Sequence, residues 1–62
     1  MTQKELLYIE DAINHEKALA KICEESASFI EDSTLADFLL EQTKKHEAME
    51  KKLKKKLEVE SE

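Results

Sequence analysis

The stretch Leu39-Leu40-Glu41-Gln42-Thr43-Lys44-Lys45-His46-Glu47-Ala48-Met49-Glu50-Lys51-Lys52-Leu53 decides how this chain folds. At about 100° per residue, Leu35, Leu39, Leu53 and Leu57 all fall within roughly 20° of His46. The spacing predicts a helix whose leucine stripe has a histidine at its centre, pointing inward. The segment before it has the same period. With Glu16 taken as zero, Ile9, Ala12, Ile13, Leu19, Ala20, Cys23, Ala27 and Ile30 lie within roughly 60° of it. A carboxylate therefore occupies the middle of the widest apolar face. An unpaired charge in that position is costly, so Glu16 and His46 are expected to partner each other.

Composition sets the frame around these two helices. The chain has 62 residues, 40% of them charged, with no Gly, no Pro and a single cysteine. So short a chain has little room for a core, and one cysteine excludes an internal disulfide, which leaves a metal or a partner chain as support. The apolar residues are patterned rather than scattered, which argues against disorder. A net charge of −5, with lysine as every basic residue, argues against a general nucleic-acid binder, because no guanidinium fork is present to read bases or clamp phosphate. No apolar run approaches about 18 residues. The expectation is a soluble, cytoplasmic protein that binds neither membrane nor nucleic acid.

The boundaries follow from capping chemistry. Thr2-Gln3-Lys4-Glu5 reads as a capping box, so the first helix is expected from about residue 3 to 30. Glu31-Asp32-Ser33-Thr34 is the interior stretch that reads as a turn, with Asp32 or Ser33 as the cap of the next helix. The second helix is expected over about 35–57, and residues 58–62 as a frayed tail. So short a turn makes the helices antiparallel neighbours, which returns the lysines of Lys51–Lys56 beside Glu5, Glu10 and Asp11.

One hairpin does not cover its own apolar surface. Adjacent apolar pairs at Ala12-Ile13, Leu19-Ala20, Ile22-Cys23 and Phe29-Ile30 widen the first stripe beyond the two positions per heptad that one partner helix needs. The expected architecture is all-α: an antiparallel hairpin of two long helices, paired antiparallel as a homodimer into a four-helix bundle. Glu16 and His46 of each chain would then share one central polar layer.

Tyr8-Ile9-Glu10-Asp11-Ala12-Ile13-Asn14-His15-Glu16-Lys17, Asp32-Ser33-Thr34-Leu35 and Phe38-Leu39-Leu40-Glu41-Gln42-Thr43-Lys44-Lys45-His46 resemble the first helix pair of rubrerythrin-like, ferritin-like proteins, and are similar to ferritin-like spore-coat proteins. The resemblance spans about residues 6–57. It implies a ferritin-like bundle in which a first-helix glutamate and a Glu-x-x-His on the second helix hold iron or another divalent metal. Glu16 and His46 match two of those positions. Thr43 stands where the glutamate of Glu-x-x-His belongs, and Glu50, one turn beyond His46, offers a carboxylate from the other side. The candidate metal residues are Glu16, His46 and Glu50.

Two function classes stay open at this point: a dimeric ferritin-like metal-binding or redox module, and a metal-free structural or interaction hairpin serving a coat or a larger assembly. In the second, the Glu16–His46 pair fixes bundle register. Cys23 reads as a small core residue, His15 as a surface histidine and Tyr8 as an edge-of-core residue.

Overall fold

The computed structural model describes the backbone of residues 1–61 and the side chains of residues 1–59. The described chain is a hairpin of two packed helices, α1 (Gln3–Phe29) and α2 (Ser33–Ser61). The α1 capping box is present: Thr2 Oγ1 accepts the Glu5 N–H at 3.1 Å, and Glu5 Oε1 accepts the Thr2 N–H at 2.9 Å. α1 ends without a left-handed residue. Ile30 instead turns extended, at φ −97° and ψ 125°, and so stops the helical hydrogen bonding.

The connection is tighter than the expected 31–34 turn. Asp32 Oδ1 accepts the Leu35 N–H at 3.0 Å, and its carbonyl accepts the Ala36 N–H at 2.9 Å. Asp32, not Ser33, is therefore the cap, and α2 starts at Ser33, before the expected Leu35. α2 also runs past Leu57 to Ser61. Lysine, glutamate and leucine favour helix, and neither Gly nor Pro interrupts them. Residues 58–61 are thus helical rather than a separate tail, and Glu62 lies outside the described residues.

The inner positions recur at alternating spacings of three and four. On α1 they run Leu6, Ile9, Ile13, Glu16, Ala20, Cys23, Ala27 and Ile30; on α2 they run Ala36, Leu39, Thr43, His46, Glu50, Leu53 and Leu57. That is the heptad of a coiled coil, about 3.5 residues per turn. The tighter period corrects one expectation. Leu35 shifts roughly 75° from the seam's centre line at this period, and it lies exposed beside the turn while Leu39, Leu53 and Leu57 stay half-buried.

The molecule is long and thin, 45 × 15 × 10 Å, with a radius of gyration of 14.3 Å. A compact domain of this length would have a radius of about 10–11 Å. Among the described residues, Ile13, Ala20, Ala27 and Thr43 are the buried ones. Two of these are alanines, which let the helices approach closely but bury little area. Large apolar side chains remain outside: Phe29 is 86% exposed, Ile22 57% and Phe38 54%.

Candidate functional site

Midway along the hairpin the two seams become polar. His46 Nδ1 lies 2.5 Å from Glu16 Oε2, with the two side chains 26% and 22% exposed. A carboxylate only accepts, so the imidazole N–H donates. One layer nearer the turn, the Thr43 hydroxyl lies 3.4 Å from the Ala20 carbonyl across the seam and 3.1 Å from the Leu39 carbonyl in its own helix. Its single proton serves both acceptors. These links set 16 against 46 and 20 against 43, which confirms the antiparallel order and places Ile13 opposite Glu50. No buried side-chain nitrogen or oxygen among the described residues lacks a partner.

Of the three candidate metal residues, the fold joins Glu16 to His46 and directs Glu50 elsewhere. The Glu50 carboxylate lies 2.7 Å from Lys54 Nζ, one turn on. The Lys54 hydrogen bond and charge, with Lys17 beyond, hold the Glu50 carboxyl below the usual carboxylate range. Lys54 thus pairs within its own helix, whereas the sequence suggested a cross-helix partner. No group of three or more His, Cys, Asp or Glu side chains is arranged to hold a metal ion among the described residues. Cys23 is free and half-buried on the seam, while His15 and Tyr8 are exposed.

Thr43 is the position that the sequence reading undervalued. It is only 6% exposed, and it belongs to the seven-residue column Ala36, Thr43, Glu50, Leu57. That column was the available signal.

The flanks of the seam differ sharply. On α1 one flank carries Glu5, Tyr8, Ala12, His15, Leu19, Ile22, Ser26 and Phe29; the other carries Leu7, Glu10, Asn14, Lys17, Lys21, Glu24 and Ser28. On α2 the corresponding rows are Leu35, Phe38, Gln42, Lys45, Met49, Lys52, Lys56 and Val59 on one flank, and Asp37, Leu40, Lys44, Glu47, Lys51, Lys54 and Glu58 on the other. A shallow groove lined by Glu10, Asn14 and Lys54, with Ile13 and Leu57, shows which flanks share a side. The polar flanks adjoin across the seam. The two apolar flanks therefore adjoin on the opposite side and make one continuous face, densest near the turn, with Leu7 and Leu40 as isolated exposed leucines elsewhere.

The chain matches no family model, no curated protein and no solved structure. The ferritin-like likeness accordingly rests on the quoted residues alone. No helix among the described residues is long and apolar enough to cross a membrane.

Proposed function

We propose that this chain is an assembly module, a helical hairpin that works as a homodimer by packing its apolar face against that of a second copy to complete a four-helix bundle. The observation behind this reading is that the exposed apolar side chains of both helices, Phe29, Ile22 and Phe38 foremost, collect on one side of the hairpin. A contiguous exposed apolar patch marks an interaction surface. The thin core adds to the argument, because so short a chain gains much of its burial from a partner. In this reading the Glu16–His46 and Thr43–Ala20 links fix the register and hold the face flat.

Substitution of the face tests the reading. The double variant Ile22→Lys, Phe29→Lys should lose self-association while keeping its helical circular dichroism, because neither side chain belongs to the hairpin's own seam. Collapse of the helical signal in dilute solution would make these residues part of the core and remove the reading.

Metal-dependent chemistry is the second reading. It draws on the Glu16–His46 contact, which a dimer would duplicate at mid-height of the bundle. Each chain then offers one carboxylate and one imidazole, with Thr43 in place of the family's glutamate and Glu50 engaged by Lys54. That donor set does not suit a di-iron centre.

A further inference from the structure

Granted that the face is covered by a second copy, its two ends are not equivalent, and this decides how the copies align. The half near the turn is apolar on both helices, with Leu19, Ile22 and Phe29 on α1 and Leu35 and Phe38 on α2, all exposed. The open half is mixed: α1 carries Glu5, Tyr8, Ala12 and His15, whereas α2 carries Lys45, Met49, Lys52 and Lys56. The cross-seam register of 16 with 46 and 20 with 43 puts Lys52 at the height of the Tyr8–Ala12 stretch. It likewise puts Ile22 near the height of Phe38, and Phe29 near that of Leu35.

Two symmetric pairings bring such faces together. If the turns lie at opposite ends, each α2 runs antiparallel along its own copy. Phe38 is then set against the lysine-bearing half, and Lys45 and Lys52 of both chains crowd one groove. If the turns lie at the same end, α1 of each copy lies on α2 of the other. Apolar half then meets apolar half, and Lys45 and Lys52 of each chain lie on the partner's α1 rather than on each other.

We infer that the dimer adopts the second alignment, a two-fold bundle with both turns at one end and each α1 covered by the partner's α2. This replaces the antiparallel pairing expected from the sequence. The α2 lysines support it, since the other alignment stacks Lys45 and Lys52 of both chains and like charges across an interface are strongly disfavoured. The area is sufficient as well. Two faces of 45 × 15 Å cover on the order of 1,300 Å² when joined, within the range of specific stable interfaces.

Single-cysteine chains read the alignment directly. In a Cys23→Ser background, Ile22→Cys is mixed in turn with Phe38→Cys and with Tyr8→Cys, and the mixtures are oxidised and resolved by mass. A mixture of Phe29→Cys with Leu35→Cys serves as a second pair should the first disturb folding, which circular dichroism monitors. Turns at one end predict efficient Ile22–Phe38 and Phe29–Leu35 hetero-disulfides and little Ile22–Tyr8 product. Dominant Ile22–Tyr8 product in a dimer of normal mass would overturn the alignment and leave the proposed assembly function standing. A chain that sediments at the single-chain mass, or that leaves solution with vesicles of phosphatidylcholine and phosphatidylglycerol, would overturn both.

Discussion

The His46 imidazole and the Glu16 carboxylate meet 2.5 Å apart across the seam of the hairpin, at the position where both helices would otherwise be apolar. Each side chain lies on an inner heptad column and is about three-quarters shielded from solvent there. The pair costs desolvation and returns a charge-assisted hydrogen bond. What it adds beyond an apolar layer is register, because a shift of one turn would leave both groups unpaired.

Removal of one partner should therefore hurt more than removal of both. His46→Leu alone leaves the Glu16 carboxylate without its donor and should destabilise the fold by about 2 kcal/mol, less than the roughly 3–5 kcal/mol of a fully buried pair because the site is part-exposed. Glu16→Leu with His46→Leu should restore or exceed wild-type stability. Urea titrations of wild type, Glu16→Leu, His46→Leu and the double variant make the comparison, and a double variant weaker than either single variant would show that the pair itself stabilises the chain.

Divalent metal separates the two functional readings. In the assembly reading, the melting temperature of chelator-treated protein is indifferent to ferrous, manganous or zinc ion. In the metal reading it rises with added ion by mass action, and Glu16→Gln or His46→Ala abolishes the rise. Thermal melts followed at 222 nm with and without each ion decide it.

Thr43 offers a sharper test of the seam than the leucines. Thr43→Val keeps the shape and removes the hydroxyl that bonds to the Ala20 carbonyl, and should cost about 1 kcal/mol, the usual net worth of such a bond. Lys44→Ala, next to it on the solvated flank, should change stability by less than about 0.5 kcal/mol. Chemical denaturation of both variants checks this, and equal losses would mean that the inner column is misassigned.

Acid should weaken the hairpin partly through Glu50 and Glu5. The Lys54 hydrogen bond lowers the Glu50 carboxyl from its ordinary value, and the Thr2 backbone and hydroxyl lower that of Glu5. The folded chain then holds these protons less readily than the unfolded chain. Their contribution is complete above the ordinary carboxylate range and is lost as pH falls through it. Glu50→Gln should accordingly flatten the acid side of the stability profile, measured by melts from pH 6 to 3. A profile unchanged in slope would remove Glu50 from the acid response.

Much of this architecture is legible in the sequence, and the rest escapes it for two physical reasons. The capping box at Thr2, the hairpin and the Glu16–His46 partnership follow from local chemistry and apolar period, both of which a single helix contains. Leu35 falls in the stripe only at the period of a straight helix, whereas two helices in mutual contact tighten it to 3.5 residues per turn and turn Leu35 outward. Lys54 was misjudged for a different reason. Glu50 sits one turn away on the same helix, so it competes with the carboxylates of α1 at no cost in loop closure. The asymmetry of the flanks becomes visible only once the antiparallel register is known.

The central claim is that this hairpin is half of a bundle, and sedimentation equilibrium at micromolar concentration tests it most directly. The account predicts about twice the 7.2 kDa chain mass for wild type, falling to the single-chain mass for Ile22→Lys, Phe29→Lys with helicity retained. A wild-type chain that stays at the single-chain mass throughout, cooperatively folded with Phe29 still open to solvent, would contradict it.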